Sequence, residues 1–133
     1  MSITEQNCPC GTDRDFADCC GRFLDDGDAP ETVEQLMRSR FSAYCLKRID
    51  YLVDSTHPDA RSAKLRDEVV ETAERVTWNW LKVVSTRSGR ADDKVGNVEF
   101  IAGYEYEGES GTHHERSQFR RYDGKWKYLD DRG

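Results

Sequence analysis

Apolar residues recur at helical spacing in the first half of the chain and at alternate positions in the second half. Val33, Leu36, Met37, Phe41, Tyr44 and Cys45 fall on one face of a helix over about 33–46. Thr32 and Gln35 have capping-box spacing at its start. Asp50 is placed to cap a short second helix over 51–55, which ends before His57-Pro58. Leu65, Val69, Ala73 and Val76 define a third helix over about 62–75. The period then changes. Residues 78–84 have strand composition, and 95–107 alternate, with Val98, Phe100, Ala102, Tyr104 and Tyr106 on one side. Strands over 113–122 and 125–130 follow, joined by the tight-turn signal Asp123-Gly124. Helices followed by an antiparallel meander predict an α+β layer structure, with three helices packed on one face of a four-stranded sheet.

Ahead of that body lies a cysteine-rich segment, separated from it by the polar stretch 24–30. Four of the five cysteines lie there: Cys8-Pro9-Cys10-Gly11, an eight-residue span from Gly11 to Asp18, then Cys19-Cys20-Gly21. Two close pairs joined by a loop are the plan of a small zinc site, in which each turn supplies two thiolates. The glycines after each pair stand where the backbone turns back toward sulfur and a positive φ is often needed. Four protein ligands leave the metal no open position, so Cys8, Cys10, Cys19 and Cys20 predict one structural Zn²⁺ per chain. Redox chemistry and plain buried cysteines are the competing readings, although the spacing lacks the C-x-x-C of thioredoxin-like motifs. Cys45 lies on the edge of the first helix's apolar face and reads as a small hydrophobe.

Composition narrows the function classes. The chain has 133 residues, 35% of them charged and 11% aromatic, with a net charge of −6 that becomes about −8 with four thiolates and one Zn²⁺. That balance disfavours a nucleic-acid partner, which requires a basic patch. No stretch approaches the roughly 20 apolar residues of a membrane span. Met1 to Asn7 shows neither the basic region nor the apolar run of a signal peptide, which places the protein in the cytoplasm and makes disulfides improbable.

Polar residues in the body raise a second question. Arg40 falls inside an apolar stripe, where it must pair with a carboxylate, line a pocket or snorkel to solvent, because an unpaired buried charge is costly. Arg40, Asp54, His57, Glu99, His114, Glu115 and Arg116 are the candidates for a polar cavity. His114 and Arg116 share one strand face and Glu115 takes the other. A converging His and carboxylate would serve as general base and orienting acid. Ion pairs that only set strand register explain the same residues equally well.

The cysteine pattern resembles the SEC-C motif, known from the C-terminal tail of the translocation ATPase SecA. The usual loop start Gly-Ser-Gly-Lys reads Gly11-Thr12-Asp13-Arg14 here, while the four metal positions are intact. Met37-Arg38-Ser39-Arg40-Phe41-Ser42-Ala43-Tyr44, Asp50-Tyr51-Leu52, Thr56-His57-Pro58 and His114-Glu115-Arg116-Ser117-x-Phe119 extend the resemblance over about residues 5–130, to the YchJ family. Phe41 stands where Tyr is common. The resemblance implies a zinc motif at 1–28 and, at 29–133, a nuclear-transport-factor-2-like (cystatin-like) cone, whose helices close a curved sheet around a cavity. It also implies a protein partner near export, chaperones or the ribosome. Two functions stand open on this reading. One is a non-enzymatic interaction protein whose knuckle tumbles partly independently of the cone. The other is a small-molecule-binding protein or enzyme that uses the cavity, with the knuckle as targeting device.

Overall fold

The computed structural model describes residues 7–132. Cys8 to Asp15 form a tight loop closed by the Cys8 N–H to Arg14 carbonyl bond (2.9 Å), and a 3-10 turn, Phe16–Asp18, leads into the short helix α1, Gly21–Leu24. The body follows as α2 (Val33–Leu46), α3 (Ile49–Asp54), a 3-10 turn (Pro58–Ala60) and α4 (Leu65–Arg75). The strands β1 (Val76–Ser88), β2 (Val95–Tyr106), β3 (Glu109–Tyr122) and β4 (Lys125–Asp130) form one antiparallel sheet in the order β1-β2-β3-β4. Among the described residues no helix is long and apolar enough to cross a membrane.

Helix α2 forms where the apolar period predicts it. The Thr32 hydroxyl accepts from the Gln35 amide (3.2 Å), and the Gln35 side chain reaches back to the Glu31 amide (2.7 Å), one residue before the cap. Lys47 stops the helix by entering the left-handed region (φ 58°), and the Arg48 amide returns to the Ala43 carbonyl at 2.8 Å. This tight stop lets α3 begin at Ile49, so Asp50 lies inside the helix and pairs with Arg66 of α4 (2.7 Å) instead of capping. Helix α4 starts three residues later than its pattern indicates, because the Ser62 hydroxyl accepts from the Lys64 amide in a turn (3.2 Å).

The strands are longer than their apolar runs. β1 continues out of α4 without a loop, and its ladder with β2 is interrupted between Trp78 and Trp80 and again between Val83 and Ser85. Such irregularities bend a strand and raise its twist, which curves the sheet around α2. The β2–β3 hairpin closes in two residues, Glu107 and Gly108, both left-handed (φ 52° and 82°), where the sequence points to a five-residue connection. Asp123-Gly124 repeats that geometry (φ 53° and 80°).

The polar stretch after α1 does not detach the N-terminal segment. Cys8, Cys10, Cys19 and Cys20 pack in one buried cluster with Val33, Leu36, Met37, Phe41 and Leu81. Asp25 pairs with Arg48 (2.8 Å), the Trp126 indole donates to the Glu31 carbonyl (3.0 Å), and Val33 N–H reaches the Gly89 carbonyl (2.9 Å). The expected independent tumbling of the knuckle is therefore corrected: its apolar sulfur face is part of the core. A second cluster, Ala43, Leu52 and Val69, joins α2, α3 and α4.

Two substitutions rank these forces. Leu52 is fully buried, so Leu52→Ala should lower the unfolding free energy by about 3 kcal/mol. Thr32→Ala, which removes only a cap, should cost about 1 kcal/mol. Urea titrations of both variants check the order; an equal loss would contradict it.

Candidate metal centre and cavity

The four cysteines converge. Their sulfur atoms all lie within 4.8 Å of one another, every residue is buried, and Cys10 and Cys19 approach to 3.6 Å. Gly11 turns the first pair with φ 93°, and a Cβ there would meet the Leu81 carbonyl at 3.3 Å, so the loop sits hard against β1. Gly21 serves differently. It needs no positive φ; a Cβ would lie 2.7 Å from the Phe16 carbonyl oxygen, and its absence lets the second pair fold against the 3-10 turn.

Polar neighbours suit a negatively charged sulfur cluster. The Ser42 hydroxyl lies 3.4 Å from Cys8 Sγ, and Thr12 Oγ1 lies 3.2 Å from Cys19 Sγ. Arg38 donates to the Cys10 carbonyl (2.8 Å) and pairs with Glu34 (2.9 Å). Burial works against the charge of Arg38, but Glu34 and the nearby Cys10 outweigh it and the pKa rises. Hydrogen bonds from Cys10 and Cys20 hold the Cys8 thiol well below its ordinary pKa, which favours a thiolate there. Cys45 stays apart: its Sγ faces the Trp78 carbonyl (3.6 Å), and burial pushes its pKa up to about 11. The cluster can hold a metal ion by four sulfurs, and Cys45 is not among them.

A cavity of about 310 Å³ opens on the other side of α2. Met37, Phe41 and Tyr44 of α2 face Trp78, Phe100 and Ala102 of the sheet across it. Its polar lining consists of Arg40, Thr72, His113, Glu115, Ser117 and Tyr128. Glu115 is tied on three sides, to His113 Nε2 (2.8 Å), the Ser117 hydroxyl (2.6 Å) and the Tyr128 hydroxyl (3.0 Å). Burial, reinforced by the Glu115 charge, raises the Tyr128 pKa, so that phenol stays a donor. Arg40 finds no carboxylate. Its Nη1 donates to the Leu52 carbonyl (2.9 Å) and to the Ser55 (2.6 Å) and Thr56 (3.3 Å) hydroxyls at the end of α3, and its guanidinium lies 4.6 Å above the Tyr128 ring.

Of the seven residues named as candidates for a polar cavity, Arg40 and Glu115 line it. Glu99, His114 and Arg116 lie on the opposite, outer face of the sheet. There the Glu99 carboxylate meets His114 (2.6 Å) and Arg116 (3.6 Å), and the His114 bond chiefly lowers its pKa. Asp54 is exposed and contributes only its carbonyl, to Lys127 (2.6 Å) and Arg61 (3.1 Å). His57 is buried away from the cavity: its Nδ1 accepts from the Asp59 amide (3.0 Å), and its own amide joins the Tyr128 carbonyl (2.8 Å). The physical reason is strand parity. Phe119 is fully buried, so residues 113, 115 and 117 point inward with it, and 114 and 116 point outward. That parity is readable from the sequence, and it singles out His113 and Ser117, which residue chemistry alone passes over.

The comparisons with known proteins agree with this architecture. Residues 32–131 match the family model described as "YchJ, middle NTF2-like domain", and residues 6–22 match the SEC-C motif. The chain is 41% identical to UPF0225 protein GSU1048 of Geobacter sulfurreducens over 126 residues, covering 95% of this chain and 78% of that one. In three dimensions it resembles the solution structure of RPA3114, a SEC-C motif containing protein from Rhodopseudomonas palustris. The TM-score is 0.81 at 35% identity, with 93% of this chain and 95% of that chain covered. A SEC-C motif containing protein from Psychrobacter arcticus gives a TM-score of 0.79 at 27% identity, covering 99% and 85%. With its SEC-C segment in place and an NTF2-like body over most of its length, the chain belongs to the YchJ family, whose relatives here carry the name UPF0225.

Proposed function

We propose that the protein is a cytoplasmic zinc-binding protein whose metal is structural and whose N-terminal segment docks on a protein partner. The observation that carries the metal reading is the convergence of four buried sulfurs within 4.8 Å. A tetrahedral Zn–S bond of about 2.3 Å places sulfurs roughly 3.8 Å apart, close to the 3.6 Å of Cys10 and Cys19. Four soft ligands suit zinc and leave it no open coordination position, so its role is to hold the two cysteine turns together. Residues 1–28 then form the metal-binding docking segment and 29–133 the NTF2-like body, the two sharing one core.

Docking is supported by the surface beside the metal centre. Arg14, Arg22 and Arg38 line a groove between the cysteine loops and α2, on a chain whose net charge is −6. Glu34 also lines it and answers Arg38, which leaves Arg14 and Arg22 to favour an acidic protein segment, because a guanidinium binds a carboxylate bidentately. The SEC-C resemblance supports a search for such partners among export, chaperone or ribosome-associated proteins.

Metal analysis of protein purified without chelator should find about one zinc per chain, lost in Cys8→Ser and Cys19→Ser. Iron in its place, or four reactive thiols on a stable protein, would overturn the zinc assignment. Because the sulfurs belong to the core, metal removal should destabilise the whole chain in one transition, by more than about 3 kcal/mol. A body that melts unchanged after chelation would contradict the shared core. For docking, crosslinks from the cysteine segment to a cellular protein should weaken at least tenfold in Arg14→Glu at unchanged zinc content. Unaltered crosslinking would remove the groove from the interface.

A further inference from the structure

The cavity beneath α2 carries a charge that the protein leaves only partly answered. Arg40 is 8% exposed, yet among the described residues it joins no ion pair. All three of its hydrogen bonds leave from Nη1 and end on uncharged oxygens, so its Nε and Nη2 groups have no partner among the described residues. A guanidinium is a rigid fork of donors that cannot be discharged by losing a proton. Burying it without a counter-ion is unfavourable unless something else supplies the negative charge.

The neighbouring carboxylate does not do so. Glu115 is occupied by His113, Ser117 and Tyr128 and forms no ion pair with Arg40, whose guanidinium lies 4.6 Å over the Tyr128 ring. Another lining residue, Trp78, has an indole N–H that is buried without an acceptor. Apart from Thr72, the rest of the lining is aromatic and aliphatic: Met37, Phe41, Tyr44, Phe100 and Ala102. A volume of about 310 Å³ stands at the small end of ligand pockets, which run from about 300 to 1,000 Å³. The His113 side chain, 46% exposed, marks the mouth.

We propose that this cavity binds a small apolar carboxylic acid, of the size of one ring with a short side chain, whose carboxylate is held by the free edge of Arg40. The apolar part lies between Phe41 and Phe100, and the Tyr128 ring keeps the guanidinium flat for bidentate contact. This assignment does not depend on the metal centre or on the docking groove.

Three probes of equal shape and different charge test it: phenylacetate, phenylacetamide and phenethylamine, titrated into the full chain with its metal and followed by backbone amide NMR shifts. Phenylacetate is expected to give saturable shifts at Phe100 and Ala102 and to bind at least tenfold more tightly than the amide. Arg40→Gln should erase that preference while leaving the weak amide affinity in place. Should Arg40→Gln fail to fold, Ala102→Leu fills the same space and should abolish phenylacetate binding with the fold retained. Preference for the amine, equal binding of all three probes, no binding at millimolar concentration, or unchanged phenylacetate affinity in Ala102→Leu would each overturn the proposal.

Discussion

Helix α2 is held between two partners of different chemistry, and the arrangement of the molecule depends on that. One side meets the sulfur cluster, through Ser42 beside Cys8 and Arg38 on the Cys10 carbonyl. The other side meets the curved sheet through Met37, Arg40, Phe41 and Tyr44. Eight of α2's 14 residues are buried, two of them serines and one an arginine. Its buried serines each have a specific partner, as burial requires, whereas Arg40 is bonded through Nη1 alone. Ser39, for example, is bonded to the Leu36 carbonyl (2.8 Å) and the Tyr51 hydroxyl (2.6 Å).

The position of α2 couples the metal centre to the body. A four-cysteine loop on a flexible tether would fold or unfold by itself. Here the sulfurs contribute to the same buried cluster as Val33, Leu36 and Phe41, and Leu24 touches both that cluster and the one between α2, α3 and α4. A metal held by that cluster would therefore share its contacts with the folding of the body. The motif family and the body family meet in a single hydrophobic core rather than as two beads on a string.

The sheet separates structural from available chemistry. On its outer face Glu99, His114 and Arg116 satisfy one another in water, where ion pairs contribute little to stability and chiefly favour one register. On its inner face the same strands place His113, Glu115 and Ser117 against a largely apolar cavity, where each unpaired donor matters far more. Residues one position apart in the chain thus belong to different environments.

Much of this was legible in the chain itself. The four sulfur ligands lie within 13 residues, so their convergence is a local matter of two turns and one loop. The helical stripe of α2, its Thr32 cap, the two-residue turn at Asp123-Gly124 and the four-strand meander also follow from short-range pattern and turn chemistry. What the sequence by itself left open was every choice that depends on distant segments. The polar stretch 24–30 reads as a free hinge because its own residues are hydrophilic, but the contacts that hold its flanks come from Arg48 and Trp126. Arg40 is visible as a charge in an apolar stripe, yet the end of α3 and the Tyr128 ring that receive it are brought there only by packing. Which cysteines converge was local and so determined by sequence. The membership of the cavity was decided by tertiary structure, because which strand face turns inward depends on which side the helices cover.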